Sequence, residues 1–367
     1  MTFQLLIQTN SPGELTAWVS PIVNTFINKL PSAHITIFLV PCQYRTGTEF
    51  TIAQQIPGVN TVLTPKQTIR TLLSFPLLQR HKGNGAVLYL GGDPFYSKCL
   101  GIKFGYPVYA YSEHALSSFF FKKVFLKSVD GDLMADRVRL FHSTTHIASS
   151  EKSAIPNHPF CLFFCGSRPQ HFINMVPLII EVVAKIKIKH PDFKAVLHIS
   201  PFITENDLDQ VRKDHDLSHF VIHRGDSLNI MSKAKLLVTL PGTNNAEALY
   251  LGLPMLVVVP LNRPELLIFD GLKGLIGNLP IIGKLIKKWV ANYLVRTVPY
   301  FSLPNKLAKS PIITEMVDVL TPEKISQEVT ALYYDSQKLT HIKNQFKKLH
   351  PKQNTANNIV QCILKNN

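Results

Sequence analysis

Acidic residues are scarce in this chain of 367 residues. It has 24 Asp and Glu against 39 Lys and Arg, which gives a formal net charge of +15 at pH 7. Such an excess favours an anionic partner, which could be nucleic acid, a phosphorylated substrate or an acidic membrane face. No recognised nucleic-acid motif and no interleaving of aromatic with basic residues accompanies the charge. We therefore expect no nucleic-acid partner.

Long hydrophobic runs, paired cysteines and metal-ligand patterns are also missing. No apolar run reaches the roughly 18 residues that a membrane-spanning helix needs, and the first ten residues do not resemble a secretory signal. The five cysteines form no CxxC pair and the 14 histidines no HExxH pattern. These absences favour a reduced, cytoplasmic protein without a structural disulfide or a zinc ion.

What the chain does contain is an alternation of apolar runs with helix-forming segments. This alternation predicts an α/β fold with parallel sheets, and the length favours two domains. The pattern ends near residue 150 in a polar, turn-rich stretch and then restarts. We predict a Rossmann-like domain over residues 1–150 and a second over residues 151–345. A C-terminal helix within residues 346–367 could pack back on the first domain.

The stretch from Leu236 to Leu261 indicates a strand, a glycine turn, a helix and a strand. Gly242 and Thr243 form the turn, which would direct backbone N–H groups and a hydroxyl to a place where phosphate binds well. Glu247 follows one helical turn later and could hold a ribose diol by two charge-assisted hydrogen bonds. The alternative is an ordinary turn in which Thr243 is a helix cap and Glu247 is solvated.

A second turn of this kind precedes another long helix. Arg168 follows a predicted strand and the residues Gly166 and Ser167, so its guanidinium could clamp a diphosphate together with N–H groups of the next helix. The alternative is a surface cap.

Carboxylates mark two loops of the first predicted domain. Asp93 lies between two glycines and a proline at a strand end, where it could be a base that takes the proton of a hydroxyl group, or could start an Asx turn. Glu14 ends a predicted loop over residues 10–14; it could be functional, or only stabilised by the helix dipole. His114, beside Glu113, is a second candidate base or a structural histidine.

One segment combines apolar residues with charge of a single sign. Residues 271–296 contain no acidic residue, and lysines alternate with Leu, Ile and Trp. We predict that an insertion over residues 264–300 lies in the headgroup layer of an anionic membrane. The alternative is an amphipathic helix packed on the domain. The residues expected to contact lipid are Lys284, Lys287, Lys288 and Trp289.

Six short motifs resemble, in the same order, those of the lipid-A-disaccharide synthase family. They are Ser11–Glu14, Gly92-Asp93, Gly131–Asp136, Gly166-Ser167-Arg168, Gly242-Thr243 through Glu247, and Ser302–Asn305 with Glu315 following. The resemblance implies a GT-B glycosyltransferase fold, in which two Rossmann-like domains with parallel sheets face each other across a cleft. The chain differs from the family after the Tyr109–Ser112 strand. A tryptophan-rich stretch is replaced there by Glu113–Leu116, and the segment up to Gly131 is shorter.

The resemblance also implies an activity. It is transfer of an acylated glucosamine from a UDP donor to a lipid sugar phosphate, with inversion and without a metal ion or other cofactor, in lipid A synthesis. The family is peripheral to the inner membrane, and the chain could form a homodimer. Alternatives are another lipid acceptor, a UDP-sugar epimerase, or a non-catalytic lipid- or nucleotide-binding homologue. The implied roles are catalysis for Asp93, Glu14 and Arg168, donor binding for Gly166, Ser167, Arg168, Gly242, Thr243, Glu247 and Asn305, and acceptor contact for Ser11, Gly13 and His114.

Overall fold

The computed structural model describes residues 2–41, 47–75, 84–144, 156, 158–263, 298–351 and 354–367. The chain folds into two compact units, Met1–Ala148 with Pro351–Asn367, and Ser149–His350. The predicted boundary at residue 150 lies outside the described residues. So does almost all of the predicted insertion over residues 264–300, including Lys284, Lys287, Lys288 and Trp289.

The first unit is built on a parallel sheet of six strands in the order β3-β2-β1-β4-β5-β6. The order reverses between β1 and β4, which are neighbours in the sheet. The strands are β1 Gln4–Thr9, β2 His34–Leu39, β3 Thr61–Leu63, β4 Gly85–Tyr89, β5 Val108–Ser112 and β6 Lys123–Leu126. The helices are α1 Pro12–Glu14, continued by a π-helical turn Leu15–Val19, α2 Ser20–Lys29, α3 Glu49–Gln54, α4 Pro65–Leu73, α5 Pro94–Phe104, α6 Lys127–Asp130, α7 Leu133–Thr144 and α15 Thr355–Lys365.

Successive residues of the central strand serve opposite faces of this sheet. Leu5 and Ile7 of β1 belong to a core that also contains Phe26 of α2 and Ile359 of α15. Leu6 belongs to a core on the other face. A strand buried on both faces has apolar residues toward both, which is why Leu5, Leu6 and Ile7 follow one another in β1 without a polar residue between them. The same packing holds the C-terminal helix α15 against α2 and α7.

The second unit repeats the design with six parallel strands in the order β12-β11-β10-β7-β8-β9. Its order reverses between β7 and β10, which again are neighbours. The strands are β7 Cys161–Phe164, β8 Ala195–Ile199, β9 Val221–Arg224, β10 Leu236–Thr239, β11 Met255–Pro260 and β12 Glu315–Asp318. The helices are α8 Pro169–Lys189, α9 Glu205–Asp214, α10 Ser227–Lys233, α11 Thr243–Leu251, α12 Leu303–Ala308, α13 Pro322–Tyr334 and α14 Ser336–Lys348.

The predicted fold class, an α/β protein with two Rossmann-like parallel sheets, is confirmed. One local expectation was wrong: the segment at residues 10–14 is not a loop throughout, because helix α1 already begins at Pro12. The Leu15 N–H donates to the Ser11 carbonyl at 3.1 Å, which closes the first helical turn. Within the described ranges, none of the helices has both the length and the apolar character needed to cross a membrane.

Candidate functional site

Four of the six motifs found in the sequence lie in loops at equivalent places of the two sheets. In the first unit they follow β1 and β4, and in the second they follow β7 and β10. Each pair flanks the point where the strand order reverses. Open α/β sheets bind ligands outside the carboxyl ends of their strands at such a switch point. The fold therefore creates one candidate binding edge in each unit.

Glu14 occupies the loop that follows β1. Its Oε2 accepts hydrogen bonds from the Ser11 N–H at 3.2 Å, the Asn10 N–H at 3.3 Å and the Thr9 hydroxyl at 3.5 Å. Burial raises the pKa of this carboxyl from 4.5 to about 7, although these hydrogen bonds act in the opposite direction. The group therefore exists in both protonation states near neutral pH, which is the range in which a carboxyl can exchange protons efficiently.

The loop after β4 lies directly against Glu14. A Cβ atom on Gly91 would lie 2.0 Å from Oε2 and 2.1 Å from Cδ of Glu14, so only glycine leaves room for the carboxylate. Gly91 also has a φ of +148° and Gly92 a φ of +85°, conformations that other residues rarely adopt. A Cβ on Gly92 would approach the Asn10 side chain to 3.1 Å. The loop after β4 thus meets Glu14 and Asn10 through its two glycines.

Two buried polar residues, Gln8 of β1 and Ser97 of α5, hold the loop after β4 in place. Neither residue was identified from the sequence. The Gln8 Nε2 group donates to the carbonyls of Gly91 at 2.8 Å and Asp93 at 2.9 Å. Ser97 of α5 in turn donates its hydroxyl to Gln8 Oε1 at 2.5 Å. Since Gln8 is fully buried, these bonds satisfy an otherwise costly amide and set the position of the Asp93 backbone. The available signal was a glutamine inside an apolar strand.

Asp93 is exposed and begins helix α5. Its Oδ1 accepts a hydrogen bond from the Phe95 N–H at 2.9 Å, so the Asx-type cap considered from the sequence is present. A cap occupies one carboxylate oxygen and leaves the exposed group accessible to an incoming hydroxyl. Tyr89 lies nearby and donates its hydroxyl to the Gly92 carbonyl at 2.8 Å. Burial and the charges of Glu14 and Asp93 raise the pKa of Tyr89 to about 12, which keeps it a neutral donor.

The remaining predicted acceptor residues border these loops. Ser11 accepts a hydrogen bond from the Glu14 N–H at 3.4 Å, and the Gly13 carbonyl accepts one from a threonine hydroxyl. His114 is exposed after β5, the neighbour of β4, and its N–H donates to Ser112 Oγ at 3.1 Å. Glu113 beside it forms an ion pair with Lys127 at 2.8 Å.

In the second unit, the Gly166–Arg168 turn leads into the long helix α8. Gly166 has a φ of +99°, and a Cβ there would lie 2.7 Å from Cβ of His171, so glycine permits this close approach. Ser167 and Arg168 are half-buried, and Arg168 is the N-cap residue by its backbone. Its side chain makes no capping hydrogen bond. Arg168 is therefore a helix cap by its backbone alone, and a diphosphate contact of its guanidinium stays a prediction.

Helix α11 starts with an open turn. Gly242 is its N-cap residue and offers no side chain to the first N–H groups. A Cβ placed on Gly242 would meet nothing within 4 Å, and both Gly242 and Thr243 are exposed. An uncapped helix start facing open space has the geometry that binds phosphate.

Glu247, one turn further along α11, is not solvated. Its side chain is buried, and Oε1 accepts a hydrogen bond from the Ser227 hydroxyl of α10 at 3.1 Å. The alternative of a solvated surface carboxylate is therefore wrong. Elsewhere in the described ranges, no group of three or more His, Cys, Asp or Glu is placed to hold a metal ion.

Asn305 has a structural role that the sequence did not reveal. Its Nδ2 donates to the Ile313 carbonyl at 3.1 Å and to Glu315 Oε1 at 2.8 Å. Its Oδ1 accepts from the N–H groups of Ile312 at 2.9 Å and Ile313 at 3.0 Å. All four hydrogen-bonding positions of this buried amide are therefore occupied within the unit. Direct contact with a sugar donor, as predicted, would require these bonds to break.

Comparison with known proteins bears on the same motifs. The family model described as lipid-A-disaccharide synthetase matches residues 118–269. The curated lipid-A-disaccharide synthase of Francisella philomiragia is 25% identical over 186 residues, which cover 50% of this chain and 43% of that protein. The enzyme of the same name from Francisella tularensis subsp. novicida is 23% identical over 201 residues, or 54% and 47% of the two chains. The chain is thus similar to lipid-A-disaccharide synthases over about half of its length.

The two candidate binding edges differ in how far the family model covers them. The chain aligns with less than half the length of these relatives. The family model covers the turns at Gly166–Arg168 and Gly242–Glu247, and it does not reach Glu14 or Asp93. The second unit therefore carries the stronger family signal.

Solved structures resemble the whole chain in fold. A UDP-GlcNAc 2-epimerase from Neisseria meningitidis has a TM-score of 0.62 at 13% identity and covers 100% of both chains. The corresponding enzyme from Methanocaldococcus jannaschii has a TM-score of 0.59 at 13% identity, again over 100% of both chains. At such identities the likeness shows the fold alone, which is the GT-B arrangement of two Rossmann-like sheets.

Proposed function

We propose that this protein is a glycosyltransferase that moves a sugar, an acylated glucosamine, from a UDP donor to a hydroxyl of a lipid sugar phosphate. The observation that carries the proposal is the placement of complementary chemistry at the two switch points. One edge offers an open helix start and an arginine, which suit a diphosphate. The other offers two carboxylates, which suit a hydroxyl that must lose its proton.

The second unit would bind the donor. Open N–H groups at the start of α11, beside Gly242 and Thr243, would accept a phosphate, and Arg168 would contribute a bidentate charge at the neighbouring loop. Glu247 would reach the ribose only after exchanging its bond to Ser227. The UDP-GlcNAc 2-epimerase structures from Neisseria meningitidis and Methanocaldococcus jannaschii contain UDP-GlcNAc, the second also UDP, which supports a nucleotide sugar as the donor.

The first unit would bind the acceptor and remove its proton. Asp93 is the exposed carboxylate, so we assign it the role of base. The acceptor oxygen attacks the anomeric carbon as its proton passes to Asp93, and the bond from that carbon to the UDP oxygen breaks. UDP leaves with the electron pair, and Arg168 together with the N–H groups of α11 stabilises its new charge. A single displacement of this kind inverts the anomeric centre.

Glu14 would be a positioning residue in this scheme. It lies against Gly91, immediately before the Gly92-Asp93 pair, and is held by Thr9, Asn10 and Ser11. Ionisation of Glu14 near pH 7 places a second negative charge below the loop that carries the base. We therefore expect the pH dependence of turnover to change in Glu14→Gln, while Asp93→Asn removes turnover at every pH.

The test is formation of a disaccharide from UDP-2,3-diacylglucosamine and its monosaccharide phosphate, with purified protein and lipid vesicles. Activity in the wild type that is lost in Asp93→Asn supports the proposal. Absence of product with retained UDP binding contradicts the acylated substrates and redirects the search to other lipid acceptors. We also propose that the protein works at the cytoplasmic face of the inner membrane, since its acceptor is a lipid.

A further inference from the structure

Four large apolar side chains of the first unit are exposed near the loop that carries Asp93. Phe95 and Ile102 of α5 are each 61% exposed. Phe119 and Phe120, in the short 3₁₀ turn Ser118–Phe120 before β6, are 81% and 50% exposed. Single exposed apolar residues are common on soluble proteins, but a contiguous group of aromatic rings usually marks an interaction surface.

These side chains form one surface because a lysine joins them. Phe95, Lys98 and Ile102 are spaced by three and four residues, so they share one face of α5. The Lys98 ammonium lies 4.5 Å from the centroid of the Phe120 ring. Phe119 meets Phe120 edge to face, with 4.8 Å between the ring centroids. We call these five residues the aromatic–lysine patch.

Lysines predominate around the patch, although the exposed Asp93 lies two residues before Phe95. Lys122 and Lys123 follow the phenylalanines directly and are exposed. Between residues 94 and 125 the only acidic residue is Glu113, and it is paired with Lys127 at 2.8 Å. Exposed aromatic rings flanked by lysines, whose stems can lie along apolar surface while the ammonium stays in water, suit the headgroup region of an anionic bilayer.

We propose that the aromatic–lysine patch docks the first unit on a bilayer of anionic phospholipid. Charge complementarity favours a bilayer over a protein partner. A protein partner would need acidic side chains at positions that match the lysines, whereas an anionic bilayer presents phosphates over its whole surface. The patch contains no residue of the segment over residues 264–300. Phe95 lies two residues after Asp93, so docking would bring the acceptor edge to the lipid. The inference does not depend on the proposed reaction.

The experiment is co-sedimentation of the full chain with vesicles of phosphatidylglycerol and phosphatidylcholine in equal parts, and with phosphatidylcholine alone. We expect the wild type to bind the anionic vesicles and to be released by high salt. Phe119→Ser/Phe120→Ser should bind at least about tenfold more weakly, and Lys98→Glu should weaken binding in the same direction. Ile188→Ser/Val319→Ser, which changes exposed apolar residues of the second unit, is the matched control and should bind like the wild type.

Three results would overturn the proposal. One is anionic-vesicle binding by Phe119→Ser/Phe120→Ser at wild-type strength, and another is no preference of the wild type for anionic vesicles. The third is a change in self-association of the patch variant, measured by light scattering, without a change in vesicle binding. If the double variant folds poorly, Lys98→Glu tests the patch independently. Lys98 lies half-buried on a helix surface and not in the core, so this variant should still fold. None of these readings uses turnover, so a failed glycosyltransferase assay would leave them interpretable.

Discussion

The contact between Gly91 and Glu14 gives a prediction whose magnitude follows from the structure. In Gly91→Ala the new methyl group would overlap the Glu14 carboxylate, whose Oε2 lies 2.0 Å from the ideal Cβ position. The backbone φ of +148° adds about 1–3 kcal/mol of strain for any residue other than glycine. Displacing the carboxylate from its three donors adds about 1 kcal/mol. We expect the first unit to lose about 2–4 kcal/mol of unfolding free energy.

A double-mutant cycle separates the two contributions. With Glu14→Ala in the background the methyl group meets no carboxylate, so Gly91→Ala should cost only its backbone strain. The expected coupling between the two sites is about 1 kcal/mol. Trp18 lies in the first unit, with its ring 5.2 Å from that of Tyr111, and Trp289 is the other tryptophan of the chain. In a Trp289→Phe background, tryptophan fluorescence during urea unfolding therefore reports on the first unit.

Gly242→Ala is the control for an added methyl group without overlap, and because Gly242 lies in the second unit its unfolding is followed by circular dichroism. No atom lies within 4 Å of its ideal Cβ position, and its φ of 164° is ordinary extended backbone. We expect its cost to stay below about 1 kcal/mol, since only glycine's modest advantage as a helix cap is lost. The reasoning is refuted if Gly91→Ala unfolds like the wild type, or if it costs the same with and without Glu14.

Three further predictions concern pH, folding and donor binding. In the folded protein the pKa of Glu14 is about 7 and that of Asp136 about 6, both above their ordinary values, so the folded state binds more protons than the unfolded state. The first unit should therefore lose stability as the pH rises from about 4.5 to 7. Urea titrations at several pH values should show a smaller dependence of stability on pH in Glu14→Gln, and an unchanged dependence would contradict the raised pKa of Glu14. Asn305→Ala leaves two buried N–H groups without their acceptor and should destabilise the second unit by about 2–4 kcal/mol in thermal melts; loss of UDP affinity at unchanged stability would instead make it a ligand contact. Arg168→Lys keeps the positive charge but loses the planar guanidinium that can donate two parallel hydrogen bonds to a phosphate. UDP affinity measured by calorimetry should therefore fall about tenfold. Affinity equal to that of the wild type would show that Arg168 does not contact the donor.

Most of the two sheets could be predicted because their central strands are buried on both faces. Runs such as Leu236–Thr239 and Met255–Pro260 are apolar throughout and therefore stand out in the sequence. The missed strands, β6 at Lys123–Leu126 and β12 at Glu315–Asp318, lie at sheet edges. They are short and only partly buried, and each begins with a charged residue, so neither has the periodicity of a central strand.

The site was predictable in its loops and less so in the contacts that hold them. Glycine and proline mark the turns at Gly91–Asp93 and Gly242, and a parallel sheet brings such turns to one edge. The sequence does not show in the same way which polar side chains are buried. The Gln8 side chain bonds to residues 83 to 89 positions away, and the Asn305 side chain bonds to residues 7 to 10 positions later, beyond the end of its own helix. An amide that binds the backbone is indistinguishable in sequence from one that binds a ligand.

Turnover by Asp93→Asn is the most direct test of the proposed reaction. Asparagine caps helices as well as aspartate does, so the variant should keep the α5 start and the fold while losing the base. With UDP-2,3-diacylglucosamine and its phosphorylated acceptor, we expect disaccharide formation by the wild type and a loss of about 10²–10⁴-fold in the variant, with UDP affinity unchanged. Wild-type turnover by Asp93→Asn would contradict the account.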